Sequence, residues 1–364
     1  MDASQRESLL QLLEALSDLD GQYTQQRRVN PIGGGGNFSV ILSARESITA
    51  RHVAIKIMDP YCKDPYRLAC FQREEYVLRS LRGQEGILVS LSDLRTLTVP
   101  LTGPGGIAFP LTLQYFVTEL ARYSLRDEID QASRTNRTIL TQLRTFRALC
   151  RALQRIHSYS IAHRDLKPTN VLRCHDHSLK LSDFGAARSV TPTSSALLTN
   201  YGGGWPGDYL YAAPEVVAGL HETDPILALR SDFYSLGAIL FELLTGAQLA
   251  AITLYPDALN DLRIIAAMPA QRRSHVLRAT LSALCAGYPP PSLAAYAPLP
   301  ACIGQQIQAL FESLIDLDYR LRAADFSSIF RQVSICEKIL RNEKAYRGWL
   351  AQRRRRSTLT LVGT

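Results

Sequence analysis

The hydrophobic period of this chain switches from that of strands to that of helices near residue 120, and the switch sets the order of its architecture. From Val29 to Met58 the pattern is one of short alternating strands around a glycine cluster. Tyr66 to Leu81 takes a helical period, with Phe71, Val77, Leu78 and Leu81 on one face, and strands then dominate to Leu120. From Ser124 onward the chain reads as mostly helical, most clearly over Ile139 to His157 and Ser231 to Leu244. The expected class is therefore α+β, a small sheet-rich lobe followed by a larger helical one.

Ahead of the sheet, Leu9, Leu12, Leu13, Leu16 and Leu19 recur at helical spacing, which predicts an amphipathic helix over Glu7 to Leu19 ended by Gly21. Its apolar stripe is expected to pack on the following lobe, with docking to a partner as the alternative. Gly103, Pro104, Gly105, Gly106 and Pro110 mark Leu101 to Thr112 as a loop joining two strands. Ala187 to Trp205 and Ala286 to Pro300 lack periodicity and are expected at the surface. The division expected is an N-terminal helical extension over 1–27, lobes over 28–121 and 122–340, and a basic tail over 341–364.

Hydrophobic residues at 46% and charged residues at 20% exclude wholesale disorder. The seven cysteines are scattered and never spaced C-x-x-C, which argues against a zinc site or a disulfide framework and for a reducing, cytoplasmic setting. Leu236 to Tyr255, the most apolar long stretch, carries Glu242 and Gln248 and reads as buried helix, so no membrane span is expected. Of the formal charge of +8, seven basic residues against Glu343 place +6 from Arg341 onward. The body is nearly neutral, and a nucleic-acid-binding face is not required. Thirty-five Arg against six Lys suggest a GC-rich coding genome and a bacterial source.

Two clusters carry chemistry. Gly34-Gly35-Gly36-Asn37-Phe38-Ser39-Val40-Ile41 is followed by His52-Val53-Ala54-Ile55-Lys56-Ile57, two strands joined by a turn whose backbone N–H groups can approach phosphate oxygens, with Lys56 in reach. Ala162-His163-Arg164-Asp165-Leu166-Lys167-Pro168-Thr169-Asn170 brings a proton acceptor, a fixed cation and a carboxamide into one loop after a helix. Eighteen residues beyond Asp165, a strand ends in Asp183-Phe184-Gly185, a carboxylate with a glycine hinge. Asp183 and Asn170 can share Mg²⁺, a hard cation that takes oxygen ligands.

Together these segments resemble the eukaryotic-type (Hanks-type) serine/threonine protein kinases over roughly Arg28 to Leu340. The resemblance implies a bilobal fold and a kinase that uses ATP and Mg²⁺, with Mn²⁺ able to substitute, and acts on protein hydroxyls, its own included. It selects the register Gly34, Gly36, Phe38, Ser39, Ile41 for the glycine loop and makes Lys56 the holder of the α- and β-phosphates. The glutamate orienting Lys56 would be Glu74, with Glu75 second. Thr118 would be the gatekeeper, Glu119 and Ala121 would offer backbone groups to adenine, and Ile41, Ala54 and Leu172 would wall the slot.

In the same resemblance Asp165 is the catalytic base and Lys167 its companion, while Asn170 and Asp183 bind metal. Gly207 to Glu215 resembles the end of an activation segment, Glu215 pairing with Arg322 and Asp232 bonding the catalytic-loop backbone. Position 208 is Asp where serine/threonine members commonly have Thr, and Gly202 to Gly204 stand where a phosphorylated threonine often sits. Arg164 would bind a phosphate on the segment, with Thr199 the first acceptor to consider. The alternatives are a binding scaffold of the pseudokinase type and a small-molecule phosphotransferase. Arg353 to Arg356 precede Ser357, Thr358 and Thr360, so the tail is expected to be autophosphorylated and to bind an acidic partner.

Overall fold

The computed structural model describes residues 3–29, 39–102, 108–135, 138–191, 193, 195–199, 207–220, 224–253, 256–287, 289–342 and 348. Two compact units divide the chain: Met1–Gln131 with Arg151–Asp208, and Ala132–Cys150 with Tyr209–Thr364.

The first unit opens with α1 (Ala3–Ala15), β1 (Asp18–Leu19), β2 (Tyr23–Arg28), β3 (Ser39–Glu46), β4 (His52–Met58), α2 (Pro65–Ser80), β5 (Arg95–Thr102) and β6 (Ala108–Glu119). Its strands form one antiparallel sheet in the order β1-β2-β3-β4-β6-β5. Register places Ile41 opposite Lys56 and Ala54 opposite Thr118. Side chains alternate across a strand, so Val53, Ile55 and Ile57 join the cluster beneath α1, while Lys56 faces the other way, toward Glu74 of α2. Phe71 of α2 packs on Phe116 at 5.1 Å between ring centroids.

The N-terminal helix ends four residues before the expected Leu19. Asp18 and Leu19 pair instead with Thr24 and Tyr23, and Gly21, at φ +64°, turns the chain between them. Of the five leucines at helical spacing, Leu9, Leu12 and Leu13 thus lie on the helix, Leu16 just past its end, and Leu19 reaches the same core from β1. Leu9, Leu13 and Leu19 are buried with Tyr23, Leu42 and Ile55, so the stripe packs on the sheet. Asp20 accepts a hydrogen bond from Tyr115 Oη at 2.5 Å, which fastens this extension to β6.

Helix α2 starts where its sequence says it should. Asp64 caps it by accepting from Tyr66 N at 2.9 Å, and Pro65 fills the first turn, where no N–H is needed. The loop expected over Leu101 to Thr112 is shorter: the β5–β6 ladder runs out to Thr102 opposite Ala108, with Pro100 opposite Pro110. Pro110 is tolerated because β6 pairs with β4 only over Tyr115 to Glu119. Gly103 to Gly106 lie outside the described residues.

Beyond β6 come β7 (Tyr123–Ser124), α3 (Leu125–Thr135), α4 (Ile139–Ser158), β8 (Ile161–Ala162), β9 (Val171–Arg173), β10 (Leu179–Leu181), β11 (Arg188–Ser189) and α5 (Ala196–Thr199). Strands β10-β9-β7 form a small sheet, and β8 pairs with β11. These short strands present the loops that carry the candidate chemistry.

The second unit contains α6 (Pro214–Val217), α7 (Ile226–Thr245), α8 (Ala250–Thr253), α9 (Pro256–Ala267), α10 (Ala270–Gly287), α11 (Gly304–Leu314) and α12 (Phe326–Arg341). Helix α7 is buried over most of its length and stops at Gly246, whose φ of +76° suits a residue without Cβ. At Gly237 a Cβ would lie 2.5 Å from Ile315 Cγ2, so glycine is what permits this close approach. Among the described residues, no helix is long and apolar enough to cross a membrane.

Candidate active site

The Lys56 ammonium is 2.5 Å from Glu74 Oε2 and 3.5 Å from Asp183 Oδ1. Strand β4 supplies the lysine and α2 the glutamate, while Asp183 follows β10 in a left-handed conformation at φ +58°. Burial works against the charged lysine, but Asp183 and Glu74 outweigh it and raise its pKa above the ordinary value. Burial also opposes ionisation of Asp183, yet Lys56 and then Lys167 hold its carboxyl below the usual range. Glu74 is pushed up, burial exceeding the help it receives from Lys56. Glu75, the second candidate for this role, pairs instead with Arg79 at 2.9 Å.

Asp165 collects three donors. Asn170 Nδ2 reaches its Oδ2 at 3.0 Å, Lys167 Nζ the same oxygen at 3.0 Å, and the Asp208 backbone N–H its Oδ1 at 2.9 Å. Asn170 Nδ2 also donates to Asp165 O at 2.8 Å, so the carboxamide braces the loop, while its Oδ1 accepts from Thr169 Oγ1 at 3.5 Å. Burial raises the pKa of Asp165, with Lys167 opposing the rise. Beneath the loop, His163 Nε2 lies 3.0 Å from Ser182 O, and its ring packs 5.0 Å from that of Phe184. The loop is thereby tied to the Asp183-Phe184-Gly185 turn. Arg164, at φ +66°, points Nη1 toward Ala186 O at 3.4 Å.

Thr118 and Ala54 are buried register partners, and Ile41 and Leu172 are half-buried. Glu119 behaves differently from the expectation that it offers its backbone groups. Its N–H is already donated to Val89 O at 3.0 Å, while its Oε1 accepts from Val89 N and from Lys180 Nζ, both at 2.7 Å. Its carbonyl accepts from Thr118 Oγ1 at 3.2 Å.

Two residues of this unit are not among those the sequence singles out. Lys180 fastens Glu119 to β10, three residues ahead of Asp183. Arg73, almost fully buried beside Glu74, donates from Nη1 to Gly185 O and from Nε to Leu197 O. Lys180 carries a signal, a basic residue between the buried Leu179 and Leu181, whereas Arg73, between Gln72 and Glu74, carries none. What each one bonds is set by the tertiary fold.

In the second unit, Arg322 and Glu215 form a buried ion pair and Asp232 is fully buried on α7. Gly34, Gly36, Phe38, Ser357, Thr358 and Thr360 lie outside the described residues, whereas Ser39 is buried at the start of β3 and Thr199 ends α5.

The family model described as "Protein kinase domain" matches residues 27–332. The chain is 30% identical over 240 residues to the mitogen-activated protein kinase HOG1 of Debaryomyces hansenii, covering 66% of this chain and 53% of that protein. It is 33% identical over 222 residues to the mitogen-activated protein kinase hog1 of Blastobotrys adeninivorans (61% and 48%), and 31% identical over 240 residues to the mitogen-activated protein kinase sakA of Aspergillus fumigatus (66% and 56%). The chain thus spans about half the length of the curated relatives it matches. These relatives are eukaryotic, and the bacterial source expected from the arginine excess is not borne out. Arginine over lysine reflects base composition, which is not confined to bacteria.

Proposed function

Because the chain belongs to the protein kinase domain family, we propose that it is a serine/threonine protein kinase that moves the γ-phosphate of ATP onto protein hydroxyls, its own included. The observation that carries this reading is the Asp165 carboxylate, oriented by Asn170, Lys167 and the Asp208 amide within the unit that also holds the Lys56–Glu74 pair and Asp183. The donor set suits Mg²⁺, since Asp183 supplies carboxylate oxygens and Asn170 a carboxamide oxygen. Bound with ATP, Mg²⁺ supplies charge screening on the phosphates.

The protein's own residues then position and accept. Glu74 holds the Lys56 ammonium, which presents its charge to the nucleotide phosphates. Asp165 takes the proton from the acceptor hydroxyl as the new O–P bond forms and the bond to the leaving diphosphate breaks. Lys167, beside the same carboxylate, offsets charge on the transferring group. The catalytic domain occupies about 28–340 between the N-terminal helix and the basic tail, and its seven free cysteines suit the cytosol.

The test is Mg²⁺-dependent transfer of labelled γ-phosphate to a mixture of proteins and to the chain itself. Lys56→Met, Asp165→Asn and Asp183→Asn should each lose at least about a hundredfold in rate while keeping the helical circular dichroism signal. Substantial transfer by the Asp183→Asn protein would overturn the reading.

A further inference from the structure

The segment entering the second unit lies directly on the catalytic loop. A Cβ on Gly207 would come 2.6 Å from Arg164 O and 3.0 Å from Asp165 Oδ1, so only glycine allows the approach. Asp208, the next residue, donates its amide to Asp165 and carries its own carboxylate to 3.9 Å from Lys167 Nζ. One ammonium is therefore shared between two carboxylates. The Asp208 side chain is 33% exposed against 14% for Asp165, which places it outward of the base.

An acceptor hydroxyl must come within about 3.2 Å of Asp165 to surrender its proton. The residues flanking that hydroxyl consequently pass close to Asp208. When Lys167 turns to the transferring phosphate, it screens Asp208 less, and the negative charge of that carboxylate acts more strongly on the flanking side chain. A basic neighbour is attracted there and an acidic one repelled. The chain itself contains a segment of the favoured kind, Arg353 to Arg356 immediately before Ser357.

We propose that Asp208 is a specificity-determining residue that selects acceptors with basic side chains beside the phosphorylated hydroxyl, the chain's own Arg353–Ser357 segment among them. This rests on the kinase reading above. The test uses a synthetic peptide spanning Leu350 to Thr364, a version with its four consecutive arginines replaced by glutamine, and both the natural enzyme and Asp208→Asn. The natural enzyme should favour the arginine peptide about tenfold or more in kcat/KM, chiefly through KM, with the preference shrinking as salt is raised. In Asp208→Asn the ratio should fall below about threefold. Taking the ratio within each protein cancels any general loss of rate. Fluorescence anisotropy of the labelled peptides should show the same preference in binding alone. Equal use of both peptides by the natural enzyme, or an undiminished ratio in Asp208→Asn, overturns the proposal. Absence of transfer to any acceptor, mixed protein included, overturns the kinase reading instead.

Discussion

Arg322 and Glu215 stand 107 residues apart in the chain and meet as a two-pronged ion pair, Nη1 2.5 Å from Oε1 and Nη2 3.0 Å from Oε2, with neither side chain reaching solvent. Arg322 also donates to Asp316 O and Arg230 O, and its guanidinium lies 5.2 Å from the Tyr234 ring centroid. Removing one partner leaves a buried charge uncompensated. Arg322→Met or Glu215→Ala should therefore lower unfolding free energy by about 3–5 kcal/mol, read from the chemical denaturation midpoint. Arg322→Lys should recover little, since a single ammonium cannot reproduce the planar fork.

The Glu119–Lys180 pair predicts a defect confined to the nucleotide. Lys180→Met should raise KM for ATP by about three- to tenfold with a smaller change in kcat, because the end of β6 loses its anchor to β10 while Asp165 is untouched. Exchanging the two residues, Glu119→Lys with Lys180→Glu, should restore part of the loss. Steady-state kinetics with varied ATP would decide, and an unchanged KM in Lys180→Met would count against the anchor.

On the proposed kinase reading the pH dependence follows from Asp165, which as the base must be ionised to accept a proton. Burial raises its pKa, so activity should fall on the acid side above the pH at which a free aspartate protonates. Lys167 opposes that rise. Its replacement by Met should move the acid limb of log kcat/KM to higher pH, as well as lowering the plateau. A lowered plateau with an unmoved limb would show that Lys167 does not set the ionisation.

Leu13 is fully buried where α1 meets the sheet. Leu13→Ala should destabilise the protein by about 2–5 kcal/mol, whereas Arg28→Ala, which breaks solvent-screened contacts to Glu7 and Glu14, should lower the melting temperature far less. Thermal melts of the two variants would separate the apolar contribution of the extension from its ionic one.

How much of the fold and the site is legible in the sequence depends on whether a residue's meaning is local. Lys56, Asp165, Asn170 and Asp183 stand out because their chemical types cluster within short segments, and α2 declares itself through Asp64, Pro65 and the apolar spacing. The end of α1 does not, because a helical stripe and a buried strand residue satisfy the same leucine spacing. Lys180 and Arg73 stay hidden because their partners are a distant carboxylate and two backbone carbonyls, which no spacing announces.

Arg73 and Glu74 are successive residues of a single helix, the first bonded to the carbonyls of Gly185 and Leu197, the second to the Lys56 ammonium. Neither can shift without dragging the other, since α2 transmits displacement as a stiff rod. One turn of one helix thus holds both the backbone at Leu197 and the ammonium of Lys56 in place.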